Sequence, residues 1–278
     1  MAATEFGTAY QALLARWPQP VQALDVATGL ARTRVHAAGP PSADPVLLIG
    51  GGGACSPVWA DVAAALVPTY RVLALDVPGD AGLSEPPTHR PQDAVEVADW
   101  LEDVLSGLGL ERVVMVGHSY GAWLALVHAL AHPTRQRHLV LVDPTDCFTR
   151  PSPNYLLHAL PLFLTSSARA HRVFLDWETG RRGIDPDAAA LWTRPGRPAV
   201  LLRPTKPTAQ QLAELRVPVS VLLAEHSRAH DIHAVARQVR TRLPDATIPT
   251  LAGVSHHAIP TEYPGQLAAH ICDAVRDL

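Results

Sequence analysis

Short continuous apolar runs alternate along this chain with longer stretches in which apolar residues recur every three or four positions. Pro45–Ile49, Tyr70–Asp76, Val113–Val116, Leu139–Thr145 and Val217–Leu223 are runs of the first kind, as expected of strands buried on both faces of a parallel sheet. Asp61–Leu66, Asp93–Leu108, the run after residue 119, Ile232–Leu243 and Gly265–Val275 read as the intervening helices; in Asp93–Leu108, Val97, Trp100, Leu101, Val104, Leu105 and Leu108 share one face. Ala246–Leu251 reads as the last strand. Ahead of this series, Glu5–Arg16 is a helix stopped by Pro18 and Pro20, on the outside of the domain. Val21–Val26 and Leu30–Ala37 form an antiparallel pair turning at Thr28-Gly29. From about Asp146 to Val217 the rhythm breaks into helical stretches, Leu156–Leu164, Ala168–Trp177 and Asp187–Trp192, with proline- and glycine-rich joints such as 193–198. The pattern predicts an α/β fold: a mostly parallel central sheet with helices on both faces, a core of residues 1–145 and 218–278, and a helical lid insertion at 146–217. The lid residues Tyr155, Leu160, Phe163, Leu164, Phe174, Trp177 and Trp192 are expected to contribute to a hydrophobic pocket.

Composition narrows the partners. At 47% hydrophobic and 18% charged, 278 residues suffice for a large core, and a formal net charge of −3 gives no reason to expect nucleic acid or an anionic membrane. Cys55, Cys147 and Cys272 form no C-x-x-C pair, and Met1–Tyr10 has no basic-then-apolar leader, so a cytoplasmic location is expected.

The chemistry concentrates at Gly117-His118-Ser119-Tyr120-Gly121, which stands between a β-branched strand and a helix. A serine on a strained strand-to-helix turn projects its hydroxyl, small neighbours admit close backbone approach, and the helix N-terminus favours negative charge. Ser119 is the candidate nucleophile. The strand Pro45–Ile49 runs into Gly50-Gly51-Gly52-Gly53, whose N–H groups are unobstructed by side chains. No Lys-Ser/Thr follows these glycines and G-x-G-x-x-G spacing is absent, which disfavours a nucleotide loop. His128 and His132, four apart on a helix, have no third ligand indicated, and no metal is expected.

With these motifs the chain resembles the α/β-hydrolases, in particular the lidded serine esterases, thioesterases and lipases, from about residue 45 to the C-terminus. The resemblance implies that Gly50 takes the place of a histidine, Gly51 matches the following glycine, and Gly52 and Tyr120 donate backbone N–H groups to an oxyanion. Trp59 supports that register. Val77–Ser84 is similar to the family's D-x-P-G-x-G-x-S segment, with Ala81 inserted and Asp80 where histidine is common; Asp76 and Ser84 read as loop-structuring.

The resemblance also implies a base in the loop after the last strand. Counting from Gly253 selects His256; counting back from Glu262 and Pro264 selects His257 as the alternative. The acid departs from the pattern, because Ser227 stands where the family has an aspartate. Asp143, at the carboxyl end of a sheet strand, is taken as the replacement, with Asp231 and Glu225 as alternatives. The expectation is a serine hydrolase acting on a small-molecule ester or thioester through an acyl-enzyme, with no cofactor. A carbon–carbon bond hydrolase or lyase on the same site, or a non-hydrolytic small-molecule-binding homologue, are the other readings.

Overall fold

The sheet carries strands in the order β1-β2-β4-β3-β5-β6-β7-β8, antiparallel across β1–β2–β4 and parallel from β4 onward. The computed structural model describes residues 2–165, 167–181, 184–193 and 201–276. In chain order the elements are α1 (Ala2–Ala15), β1 (Gln22–Ala27), β2 (Arg32–Ala38), β3 (Pro45–Ile49), a 3-10 turn at Ser56–Trp59, α2 (Ala60–Leu66), β4 (Arg71–Leu75), α3 (Ala94–Gly107), β5 (Val113–His118) and α4 (Tyr120–Ala131). Then follow β6 (Gln136–Val142), α5 (Pro153–Leu164), α6 (Ala168–Glu178), α7 (Pro186–Trp192), α8 (Ala209–Ala213), β7 (Val219–Ala224), α9 (Ile232–Arg242), β8 (Thr250–Leu251) and α10 (Pro264–Val275).

The continuous apolar runs are explained by burial on both faces. Alternate residues of the central strands enter different cores: Val46, Leu48, Val114, Val116, Val140 and Val142 pack toward α1, α2 and α10. Leu47, Ile49, Met115, Leu139 and Leu141 pack toward α3, α4 and α9. Helix α4 has ten buried residues among its twelve, so it is apolar nearly all round and shows no amphipathic stripe. Helix α1 is more than an outer cover. Its Tyr10 and Leu13, and Trp17 just past its end, are buried, and Arg16 pairs with Asp185 and Asp187 at the start of α7.

Helices α5 to α8 lie between β6 and β7 in the chain, as the break in rhythm predicts. The joint at 194–198 falls outside the described residues. Helix α8 was not foreseen, although its signal is present: Thr208 and Gln211 form a reciprocal capping box. Several strand boundaries also differ, three of them for a visible reason. Strand β6 stops at Val142 instead of Thr145, because Asp143 turns the backbone into positive φ (42°). Strand β7 begins at Val219, after Pro218, which has no N–H for the ladder. Strand β8 shrinks from Ala246–Leu251 to Thr250–Leu251, with only a bridge between Ser220 and Thr247 before it. Pro249 interrupts that edge: its carbonyl accepts from Leu223 N–H, but it has nothing to donate. Among the described residues no helix is long and apolar enough to cross a membrane.

Candidate active site

The turn between β5 and α4 owes its shape to two glycines. A Cβ on Gly117 would stand 2.2 Å from the Gly121 carbonyl oxygen, and one on Gly121 would stand 2.4 Å from that of Ile49. Side chains at either position would drive strand, turn and helix apart. The turn so formed holds Ser119 at φ 53°, ψ −114°, a strained conformation for a residue with a Cβ.

From that turn the Ser119 Oγ reaches His256 Nε2 at 2.9 Å, and His256 Nδ1–H donates to Asp143 Oδ2 at 2.6 Å. Serine, imidazole and carboxylate thus come from the ends of β5, β8 and β6, on the carboxyl edge of the sheet. Thr145 Oγ1 lies 3.4 Å from the serine hydroxyl. His256 is buried, which pushes its pKa down, while Asp143 pulls the other way; the net direction is down. Burial pushes the Asp143 carboxyl up, but His230 and His256 outweigh it and hold it well below the ordinary range. His118, whose ring is 4.9 Å from that of His256, is kept neutral by burial first and by His256 second.

The other sequence candidates stand elsewhere. Glu225 accepts from Gly253 N–H at 2.7 Å, bracing the turn that leads to His256. Asp231 is the N-cap of α9, accepting from the N–H groups of His233 and Ala234. His257 stands against the end of α6, with Nδ1 3.3 Å from Glu178 Oε2. His128 and His132 belong to a polar network between α3 and α4: His128 meets the Gln136 amide at 2.9 Å, and His132 meets Asp99 at 2.9 Å.

The glycine loop after β3 lies beside Ser119. A Cβ on Gly51 would be 3.1 Å from Ser119 Cβ, whereas one on Gly52 would meet open space. Tyr120 is the first residue of α4, where N–H groups have no intrahelical acceptor. Asp80 fixes the loop, accepting from Gly53 N–H at 2.7 Å. Asp76 takes Ser56 N–H, Leu83 N–H and the Tyr10 hydroxyl, and Ser84 Oγ donates to the Asp76 carbonyl, so both act on loop shape.

The inserted helices contribute unevenly. Tyr155, Phe174 and Trp192 gather around the His257 ring at centroid distances of 6.2, 5.1 and 5.9 Å. Trp177 instead stacks on His158 at 3.9 Å. Leu160 and Leu164 correct the expected pocket lining: they are 48% and 65% exposed, on the solvent side of α5. The Phe163 side chain lies outside the described residues.

Reading the chain residue by residue missed three groups. Glu178, at the end of α6 and 1% exposed, accepts the backbone N–H groups of His256 and His257, both at 3.0 Å. Burial raises its pKa, but His257, His256 and those N–H groups bring it down to about 2. His230 Nε2 donates to Asp143 Oδ1 at 3.0 Å, and Ser227 Oγ donates to Oδ2 at 2.6 Å. None lies in a motif. The only signal available was that Ser227, although not an acid, falls at the acid's usual position.

Comparison with known proteins identifies the family. Residues 46–270 match the model of the alpha/beta hydrolase family. In Bacillus subtilis, the carboxylesterase YbfK is 29% identical over 80% of this chain and 77% of its own length. An uncharacterised carboxylesterase, nap, of the same species is 26% identical over 89% of this chain and 84% of its own. The crystal structures of the naproxen esterase carboxylesterase NP and of the carboxylesterase CesB (YbfK), both from that species, each superpose with a TM-score of 0.88. They are 24% and 25% identical and cover 98% of this chain, with 97% and 98% of their own chains covered. With the matched region reaching from β3 into α10, this chain belongs to the alpha/beta hydrolase family and is an enzyme of that type.

Proposed function

We propose that the protein hydrolyses carboxylic esters through an acyl-enzyme, with Ser119 as nucleophile, His256 as general base and acid, and Asp143 as the carboxylate that orients the imidazole. The observation that carries this reading is the unbroken line from Ser119 Oγ through the His256 ring to Asp143 Oδ2. A serine hydroxyl attacks a carbonyl only when its proton has somewhere to go. His256 Nε2 takes that proton as the Oγ–carbon bond forms and returns it to the leaving alkoxide, leaving an acyl-serine and an alcohol. Water, deprotonated by the same nitrogen, then attacks the acyl carbon; acid is released and Ser119 Oγ is reprotonated. Asp143 keeps the Nδ1 tautomer and stabilises the imidazolium.

The tetrahedral oxyanion is assigned to the N–H groups of Gly52 and Tyr120. Loss of one such donor would cost about 3 kcal/mol in the barrier. The two Bacillus subtilis relatives named carboxylesterases support an ester as the substrate bond, with thioesters as a related class. Residues 146–217 are assigned as a lid over a core of 1–145 and 218–278. The enclosure of His257 by Tyr155, Phe174 and Trp192, all from inserted helices, supports this reading.

A fluorophosphonate probe tests it directly. The wild type is expected to label covalently and to turn over p-nitrophenyl acetate, and Ser119→Ala to do neither. A correctly folded wild type that stays unlabelled and inert toward short- and long-chain esters would sink the proposal.

A further inference from the structure

The carboxylate of Asp143 serves two imidazoles at once. Ala224 N–H (3.1 Å) and His230 Nε2 (3.0 Å) donate to Oδ1, and Ser227 Oγ (2.6 Å) and His256 Nδ1 (2.6 Å) donate to Oδ2. The His230 and Asp143 side chains are 1% and 0% exposed, so water does not screen them. The His230 ring stands edge-on to that of His256, with centroids 6.3 Å apart.

The groups facing His230 come from several elements. Asp143 and Asp146 follow β6, and Asp231 begins α9; Arg203 and Arg150 act in turn on Asp146. His256 approaches from the loop after β8 and is itself faced by His257, Glu178 and His118. Burial opposes a proton on His230, but the acids outweigh it and raise its pKa.

We propose that His230 is a positioning residue that sets the basicity of His256 through the carboxylate they share. Its consequence for turnover rests on the acyl-transfer reading above; its electrostatics do not. While His230 carries a proton, the charge of Asp143 is divided between two rings, and a proton arriving on His256 meets a like charge in a water-poor interior. With His230 neutral or absent, the whole charge of Asp143 faces His256 and favours its imidazolium. The arrangement therefore keeps His256 unprotonated, and ready to accept the Ser119 proton, at a lower pH than a lone Asp–His pair would. Ser227 fits the same scheme. As a hydroxyl donor where the family pattern has an acid, it adds no second negative charge beside Asp143.

His230→Gln tests this by keeping an N–H for Oδ1 while removing the titration. The acid-limb midpoint of kcat/KM for p-nitrophenyl acetate is expected to rise by about one to two pH units. A lower plateau with an unmoved midpoint would mean a merely structural role and would overturn the proposal. Should the variant not fold, ¹⁵N-histidine NMR of the wild type takes its place. Coupled titration is expected, each ring reporting a step at the other's midpoint; independent single-step curves would overturn the inference. The NMR readout needs no turnover. Coupled rings in a protein that resists fluorophosphonate would refute the hydrolase reading alone, and independent rings in a protein that labels would refute only this one.

Discussion

Ser119 sits in strained backbone, and the imidazole and carboxylate aligned with its hydroxyl come from distant parts of the sequence. The Asp143 carboxylate is the sharpest test at this scale. Asp143→Asn keeps the size but no longer enforces the Nδ1–H tautomer of His256, so kcat is expected to fall by roughly 10³- to 10⁴-fold. Glu225→Gln and Asp231→Ala remove the competing acids and should leave kcat/KM within about threefold, since neither touches His256. Asp231→Ala should nevertheless lower stability by about 1 kcal/mol in urea unfolding, as loss of an N-cap does. A kcat for Asp231→Ala as low as that of Asp143→Asn would reverse the assignment. The direction of the His256 shift sets a further expectation: the acid limb of kcat/KM should lie below the ordinary imidazole value.

At the scale of elements, the turn between β5 and α4 and the α6 terminus carry most of the geometry. Gly117→Ala would force a Cβ into the Gly121 carbonyl, so a loss of roughly 3 kcal/mol or outright misfolding is expected, read by denaturant unfolding and soluble yield. Glu178 ties the end of an inserted helix to the backbone of the histidine loop. Its carboxyl has a lower pKa folded, about 2, than its ordinary 4.5. A depressed acid stabilises the fold above its unfolded pKa and loses that contribution as pH falls through the folded one. The contribution, on the order of 3 kcal/mol at neutral pH, should therefore fade between about pH 4.5 and 2. Glu178→Gln should lower Tm at neutral pH and flatten its decline over that window. An unchanged melting curve across pH would mean that Glu178 does not hold the loop. The sequence carried no sign of this tie, because Glu178 lies in a helix whose partner loop is reached only through the fold.

At the scale of the molecule, legibility followed the physics of each signal. Parallel strands buried on both faces announce themselves as unbroken apolar runs, and β3, β4 and β5 fell close to where those runs lie. The proline-interrupted edge at β8 did not, because an edge strand is defined by its hydrogen-bonding partner, and Pro249 lacks a donor. The Ser119 turn was legible because its glycines answer to contacts within one strand-turn-helix unit. Only the approach of the Ile49 and Gly50 carbonyls to Gly121 reaches beyond it.

The sequence by itself determined the α/β order, the inserted helices between β6 and β7, the strained serine and the short set of histidines and acids able to serve it. Only the tertiary structure brings one histidine and one acid of that set into line with Ser119. Which carboxylate faces which imidazole depends on how β6, β7 and β8 stand side by side, and that adjacency is created by sheet packing across more than a hundred residues of chain. The same packing placed His230, Ser227 and His256 around one buried charge, an arrangement no local pattern encodes because its members share a site without sharing a motif.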